Sequence, residues 1–186
     1  MKRLLIVVDY QNDFVDGSLG FPGAEKLDEL IVAKIKSYRE AGDEVAFTFD
    51  THHKDYLTTL EGKYLPVEHG IEGSAGWQLY GRVSKMVEDN DHVFVKSAFG
   101  SIELAQFLTR RQCAANDRGL QPFISIELVG LVSNICVLSN AVIAKTACPN
   151  VPVIVDASCT DSFDKTLHKK CLDVMAGIQI EVINQH

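Results

Sequence analysis

The sequence predicts an α/β fold, a three-layer αβα sandwich built on a mostly parallel, doubly wound sheet of six strands. Two observations predict this class. Short apolar runs rich in β-branched residues recur along the chain, and amphipathic helical patterns separate them. Runs that are continuously apolar, rather than alternating, are typical of strands with both faces covered. Strands that alternate with helices favour right-handed crossovers, and these make neighbouring strands parallel.

The predicted elements follow one another along the whole chain. Strands are predicted at 4–8, 45–49, 93–95, 124–129, 151–155 and 178–183. The first helical pattern runs from Leu27 to Tyr38 and stops before Gly42, a typical C-terminal signal. Further helices are predicted near 77–88, 101–115, 136–147 and 165–176. The stretch between about 51 and 76 has no clear periodicity, and so long a loop in a compact domain is more often functional than idle.

Length and composition indicate one globular domain spanning residues 1–186. A net charge of −7 disfavours nucleic acid and anionic membranes as partners, because both require a concentrated positive field. The apolar run near the N-terminus is too short for a signal peptide and ends at Asp9, so we expect a cytoplasmic protein. Its five cysteines, none in a C-x-x-C pair, are then expected to be reduced thiols, most of them buried.

Chemically active side chains follow four consecutive predicted strands. Asp9 ends the first strand, Asp50 the second and Lys96 the third, and the segment 130–136, which ends in Cys136, follows the fourth. In a doubly wound sheet, ligands bind beyond the carboxyl ends of the strands. Two carboxylates, an ammonium and a thiol therefore belong to the same edge of the sheet, which predicts a site there.

Cys136 is the candidate nucleophile of this site. Either Ser133 or Asn134 could cap the following helix, which would place the thiol in the first helical turn. Unpaired N–H groups, the helix dipole and a nearby Lys96 would then lower the pKa of the thiol, with Asp9 as its base. Taken alone, Cys136 could equally be a small buried apolar residue.

A metal site is predicted beside the thiol. Asp50 and His52 are one residue apart, so in an extended chain both side chains reach the same side. His69 lies in the long loop and completes a mixed carboxylate and imidazole set, which suits Zn²⁺, Mn²⁺ or Fe²⁺ better than Ca²⁺. We interpret the other four histidines as surface residues: His53, His92, His168 and His186.

These segments together resemble the isochorismatase-like cysteine hydrolases, and within them the nicotinamidases. The matching pieces are D-x-Q-N-D-F at 9–14, F-D-T-H at 49–52, K-S-A-F at 96–99 and G-x-x-x-x-x-C-V at 130–137. The resemblance implies a catalytic triad of Asp9, Lys96 and Cys136. It also implies a non-proline cis peptide between Leu131 and Val132. The sequence departs from the family at Val132, where a small residue is usual, and at Asn134, where an acidic one is common.

The resemblance also implies ligands, an oxyanion hole and a reaction. Glu61 resembles a fourth metal ligand, with Glu68 as the alternative, and the ion expected is Zn²⁺, with Mn²⁺ or Fe²⁺ as alternatives. The N–H groups of Val132 and Cys136 would hold the oxyanion of a small amide during acyl transfer through a thioester. Aromatic or apolar side chains would enclose a flat substrate. The candidates are Phe14, Leu19, Phe99 and Trp77.

Three hypotheses compete for the function. The first is a metal-dependent nicotinamidase that converts nicotinamide to nicotinate and ammonia in NAD salvage. The second is a metal-free relative that cleaves another small amide, such as a carbamoyl or ureido compound. The third is a non-catalytic binding module, which the presence of Cys136 disfavours. Relatives of this kind are commonly dimers or tetramers, so a homo-oligomer is expected.

Overall fold

The computed structural model describes residues 1–185, and His186, interpreted above as a surface residue, lies outside them. Within these residues six strands form one sheet in the order β3-β2-β1-β4-β5-β6, and every neighbouring pair is parallel. The predicted fold class is therefore confirmed. The strands are β1 (Leu4–Val8), β2 (Glu44–Asp50), β3 (His92–Lys96), β4 (Ile126–Leu131), β5 (Val153–Asp161) and β6 (Glu181–Ile183).

Helices cover both faces of the sheet. They are α1 (Asn12–Val15), α2 (Leu27–Glu40), α3 (Leu60–Tyr64), α4 (Ile102–Asn116), α5 (Leu138–Ala147) and α6 (Lys165–Gly177). Single 3-10 turns occur at Ala24–Lys26, Tyr56–Thr58 and Val83–Lys85, and a π-helical turn, Ser133–Val137, precedes α5. Across residues 1–185, no helix has the length and apolarity that a membrane crossing requires.

The continuous apolarity of β1 reflects burial on both of its faces. Leu4, Ile6 and Val8 pack into the core that α4, α5 and α6 cover, whereas Leu5 and Val7 pack into the core under α2. All five side chains are fully buried. Since successive strand residues point to opposite faces, a run without polar residues is what a central strand of a three-layer sandwich requires.

The edge strand β3 departs from this pattern. Val93 and Val95 are 47% and 45% exposed, whereas Phe94 and Lys96 are buried. The prediction that this strand is covered on both faces is therefore wrong. An edge strand has a sheet neighbour on one side alone, here β2, and the helix that packs on it, α4, covers one face. The other face meets solvent, so burial alternates along β3.

The helix predicted near 77–88 is also wrong, because only the short turn Val83–Lys85 is helical. Part of its backbone pairs with the residues that follow β1, and the rest forms separate tight turns instead of a continuous helix. Asn12 N–H donates to Gln78 at 2.9 Å, and Tyr80 N–H donates to the Tyr10 carbonyl at 2.9 Å. The apolar spacing that suggested a helix therefore belongs to a segment of short turns that packs against the residues following β1.

Two histidines interpreted as surface residues are only partly exposed. The ring of His92 packs 4.4 Å from that of Phe107, and its side chain is 34% exposed. The side chain of His168 is 20% exposed and lies against the π-helical turn. His53 is exposed, as expected.

All five cysteines are free, and four are buried, Cys113 being the exposed one.

Gly130 allows β4 to lie close to β1. Its φ is +108°, and a Cβ added there would lie 2.1 Å from the Val8 carbonyl oxygen, inside the sheet. The pairing of β4 with β5 also shifts register between Leu128 and Gly130. A residue with a side chain would therefore be strained in its backbone and would also push two central strands apart.

We therefore expect Gly130→Ala to lower the free energy of unfolding by roughly 3 kcal/mol or more, from backbone strain and overpacking together. Denaturant unfolding followed by circular dichroism would measure this loss. Gly177→Ala is the matched control, because no atom lies within 4 Å of a Cβ added at the end of α6. The control should be neutral, or stabilising by up to about 1 kcal/mol. Equal midpoints for the two variants would contradict this account of the β1–β4 contact.

Candidate active site and metal centre

The four strand ends selected from the sequence meet at one point. Lys96 lies at their centre: its Nζ is 2.7 Å from Asp9 Oδ2, 3.0 Å from Asp50 Oδ1 and 3.5 Å from Cys136 Sγ. Lys96 and Asp50 are register partners on β3 and β2, and Asp9 follows β1 directly. All four side chains are buried. The sheet therefore brings two carboxylates and a thiol into contact with one ammonium group.

Asp9 turns into the site because its backbone is left-handed, with a φ of +44°. Among non-glycine residues, aspartate tolerates this conformation comparatively well, because its short polar side chain can bond locally. Thr48 Oγ1 donates to Asp9 Oδ1 at 2.6 Å, which leaves Oδ2 to Lys96. Burial raises the pKa of Asp9 above its ordinary value, while the charge of Lys96 opposes that rise. A carboxylate with a raised pKa is a better proton acceptor than an exposed one.

The surroundings of Cys136 favour the protonated form of its thiol. Burial raises its pKa well above the ordinary value and the Asp9 carboxylate adds to this, whereas the charge of Lys96 lowers it. The expectation of a lowered pKa is therefore wrong. It assumed an exposed first turn of a helix, but Cys136 is only 6% exposed. The Asp9 carboxylate lies against the same Lys96 ammonium group as the thiol, so it is placed to accept the thiol proton.

The expected N-cap of this segment is also absent from the described chain. Val132 occupies the cap position, without a capping side chain, and the first five residues form a π-helical turn. The Ser133 hydroxyl lies 2.9 Å from Nδ1 of His168 instead, so it is not engaged with the turn's own backbone. The predicted cis peptide does lie between Leu131 and Val132. Ile135 and Val137 both donate their N–H groups to the Val132 carbonyl, on either side of Cys136.

Charges in the site complement one another. Burial alone would lower the pKa of Lys96, but the charges of Asp9 and Asp50 raise it, so the ammonium stays protonated. Burial alone would raise the pKa of Asp50, but hydrogen bonds from His52 and His69 and the charge of Lys96 hold it well below its usual range. Asp50 is therefore ionised and shared: one oxygen faces the ammonium and the other faces the imidazoles.

A cluster of possible metal ligands lies on the far side of Asp50. Asp50 Oδ2 is 3.2 Å from His52 Nε2 and 3.5 Å from His69 Nε2. Glu61 Oε1, from α3, lies 3.9 Å and 3.7 Å from the same two nitrogens. Asp50, His52 and His69 can all reach one ion, and all three are buried. Glu68, the alternative to Glu61, is exposed to solvent.

The donor atoms in this cluster fit a small divalent ion. Tetrahedral ligands about 2.1 Å from zinc lie roughly 3.4 Å from one another, close to the separations found here. His69 Nδ1 lies 2.8 Å from the Val67 carbonyl and donates to it, which leaves Nε2, 3.5 Å from Asp50, as the nitrogen that can bind a metal in exchange for its proton. Such a bond from the second ring nitrogen is the usual support of a metal-bound histidine.

Two polar residues of the D-x-Q-N-D-F segment hold this cluster in place. The amide of Gln11 pairs with both backbone groups of Asp50: Nε2 donates to its carbonyl at 3.0 Å, and Oε1 accepts from its N–H at 2.8 Å. Asp13 Oδ2 accepts from the Gly70 N–H at 2.9 Å. Gly70 in turn accepts from His52 N–H at 2.8 Å. The motif therefore positions the candidate metal ligands on β2 and in the long loop.

A cavity of about 300 Å³ opens between Cys136 and the metal cluster. Cys136, Asp50, Glu61 and His69 all reach its surface, and the rest of its wall is mostly apolar. Three predicted substrate contacts line it: Phe14, Leu19 and Phe99. Trp77 does not, because its indole N–H donates to Thr51 Oγ1 at 2.8 Å and its ring packs against Phe49. Val132, proposed for the oxyanion hole, also lies on the wall.

The sequence prediction missed three apolar residues of the cavity: Leu65, Ile135 and Phe163. Phe163 was within reach of the same reasoning, because it lies two residues beyond Asp161, where β5 ends at the edge that holds the site. Leu65 and Ile135 carried no comparable signal. Leu65 follows α3 in the loop, and Ile135 lies within the π-helical turn, so their positions depend on packing between distant segments.

Comparisons with known proteins agree with this architecture. The isochorismatase domain family matches residues 3–186. A protein of Bacillus subtilis (strain 168), called the uncharacterized isochorismatase family protein PncA, is 31% identical over 95% of this chain and 96% of its own. The crystal structure of nicotinamidase/pyrazinamidase PncA from Bacillus subtilis is 28% identical, with a TM-score of 0.78 over 98% of this chain and 99% of that one. The pyrazinamidase of Pyrococcus horikoshii in complex with zinc is 19% identical and shares the fold, with a TM-score of 0.79 over the full length of both chains.

The protonated state of Cys136 predicts how it reacts with alkylating agents. We expect its rate of modification by iodoacetamide to rise with pH through a midpoint above the ordinary thiol pKa of about 8.5, because burial and Asp9 disfavour the thiolate. Peptide mass spectrometry at a series of pH values would measure the rate, with exposed Cys113 as the internal reference for the reagent. A midpoint below pH 7 would show a resting thiolate and contradict the assignment.

Proposed function

Because the chain belongs to the isochorismatase family, we propose that it is a cysteine amidohydrolase that converts nicotinamide to nicotinate and ammonia. One observation carries this proposal. The Cys136 thiol and the donor cluster of Asp50, Glu61 and His69 open onto the same mostly apolar cavity. A pyridine carboxamide offers a group for each: an amide carbon for the thiol and a ring nitrogen for an ion.

Acylation begins with Asp9 as general base. Its carboxylate takes the proton of Cys136, and the sulfur attacks the carboxamide carbon. The N–H groups of Val132 and Cys136 hold the oxygen of the tetrahedral intermediate, a contact whose loss typically costs about 10²–10³ in rate. Asp9 then gives its proton to the departing nitrogen. Ammonia leaves, and a thioester joins the acyl group to Cys136.

Deacylation returns the enzyme to its starting state. Asp9, again ionised, takes a proton from water, and the water oxygen attacks the thioester carbon. The acid is released and the sulfur of Cys136 recovers its proton. Lys96 keeps its own proton throughout, since its pKa is raised, and it balances the negative charge that moves between Asp9 and Cys136. Lys96 also pairs with Asp50 and so joins this chemistry to the donor cluster.

Four side chains would hold a divalent ion, most simply Zn²⁺: Asp50, His52, Glu61 and His69. Their two imidazoles and two carboxylates are borderline and hard donors, a combination that Zn²⁺ accepts and that Mn²⁺ or Fe²⁺ also accepts. When bound, the ion would take the pyridine nitrogen as a further ligand and so orient the ring. Asp50 and His69 line the cavity, so their side chains already face the space that the ring would occupy.

The cavity wall favours a flat aromatic substrate. Phe14 contacts His69 edge to face, with ring centroids 5.6 Å apart, and so borders the donor cluster. Phe99 and Phe163 line the same cavity from the segments that follow β3 and β5. Aromatic pairs contribute about 0.5–1.5 kcal/mol beyond the area that they bury, which gives a planar ring an advantage over an aliphatic amide of equal size.

Catalysis is tested by ammonia release from nicotinamide. We expect turnover by the purified protein, and a loss of about 10⁴-fold or more in kcat for Cys136→Ala, since no thioester can form. Cys113→Ala, an exposed thiol on α4, is the control and should retain activity. A ureido or carbamoyl substrate run in parallel identifies the alternative: turnover of that compound with none of nicotinamide would reject the proposed substrate. A Cys136→Ala protein of near-normal activity would reject the covalent mechanism.

Metal binding is tested by substituting Asp13, which accepts the Gly70 N–H and so holds the long loop in place. We expect Asp13→Ala to weaken Zn²⁺ binding about 10- to 100-fold, because Gly70 loses its anchor and the imidazoles of His52 and His69 lose their alignment. Competition against a chromophoric chelator would measure affinity, and dialysis against a chelator should lower nicotinamide turnover. Asp16→Ala, an exposed neighbour at the end of α1, is the control. Unchanged affinity in Asp13→Ala would contradict the positioning role.

A further inference from the structure

A hydrogen bond outside the cavity joins the nucleophile turn to the last helix. Ser133 Oγ lies 2.9 Å from His168 Nδ1, and Ser133 is fully buried. The role proposed above for Cys136 does not use His168. Its imidazole nevertheless contacts the hydroxyl of Ser133, the first residue of the turn that carries the thiol.

The position of Ser133 determines where the backbone on both sides of it lies. It is the first residue of Ser133–Val137, it follows Val132 directly, and Cys136 is three residues further on. Its carbonyl accepts the N–H of Leu138, which closes the turn around Cys136. Ser133 is thus attached at two points, by its backbone to the start of α5 and by its side chain to α6. A shift of Ser133 would move Val132 and Cys136 together.

The backbone of His168 is held in place near the start of α6. Its carbonyl accepts the Cys171 thiol at 3.0 Å, and Asp164 caps the start of α6 by accepting from Thr166 and Leu167. Asp161 Oδ1 lies 4.0 Å from the same ring nitrogen, beyond hydrogen-bond distance. Burial lowers the pKa of His168, although Asp161 opposes this. The ring is therefore neutral, and its Nδ1 can accept the Ser133 hydroxyl proton.

We propose that His168 is a positioning residue of the hydrolase, which holds the Ser133 hydroxyl and thereby sets the place of the Val132 N–H and the Cys136 thiol. This inference rests on the proposed function, because the geometry it maintains is that of acyl transfer. His168 does not touch the substrate cavity, whose wall comes from other residues. Its effect should therefore fall on the chemical step and leave substrate binding nearly unchanged.

The test compares variants that keep or remove the hydrogen-bond acceptor at position 168. His168→Leu and Ser133→Ala should each lower kcat for nicotinamide about 10- to 100-fold with KM within about twofold, and the double variant should lose no more than either single one. His168→Asn places Oδ1 where Nδ1 stands and should keep kcat within about threefold of wild type. Lys169→Leu, exposed on the same helix, is the matched control.

Several outcomes would overturn the proposal. These are a wild-type kcat in His168→Leu, equal losses in His168→Leu and His168→Asn, or losses that add in the double variant. If His168→Leu does not fold, Ser133→Ala and His168→Asn decide the question. A second measurement is independent of substrate: the iodoacetamide rate at Cys136 should follow the same order of variants. A wild-type protein inactive on nicotinamide would reject the proposed function, and the alkylation order would still decide the role of His168.

Discussion

Lys96 places its ammonium group between the carboxylates of Asp9 and Asp50, in a region where all three side chains are buried. Removing one partner from a buried set of charges leaves the others uncompensated, which typically costs about 3–5 kcal/mol. The ends of β1, β2 and β3 are therefore tied to one point. The same ammonium divides the site. Asp9 faces the thiol of Cys136 on one side, and Asp50 faces the imidazoles on the other.

This division explains why two carboxylates of the same kind behave differently. Burial dominates at Asp9, and its pKa is raised, which suits a base that exchanges protons. At Asp50 burial also acts to raise the pKa, but the hydrogen bonds from His52 and His69 and the charge of Lys96 together outweigh it, so the pKa is lowered, which suits an ionised ligand. Pairs of titratable groups whose surroundings push their pKa values apart are typical of sites in which each has its own task.

The polar residues around these charges act mainly on the backbone. Gln11 satisfies both backbone groups of Asp50, and Asp13 holds Gly70 between the two metal-facing histidines. The hydrogen bond between Ser133 and His168 likewise holds the backbone of the turn that carries Cys136. Side chains that react or bind are thus fixed by neighbours that do neither, and small displacements of such neighbours can cost large factors in rate.

The sequence by itself determined the parallel sandwich, the residues at its strand ends and the donor types of the metal cluster. The fold follows from local periodicity, and the site follows from the rule that ligands bind beyond the carboxyl ends of parallel strands. Tertiary structure alone decided the rest. It made the segment near 77–88 a series of short turns instead of a helix, and it buried Cys136 so that its pKa rises. It also placed the Ser133 hydroxyl against His168, where it does not cap a helix. It also brought Phe163 to the cavity. Each of these depends on contacts between distant segments, and their energies are absent from any local pattern of residues.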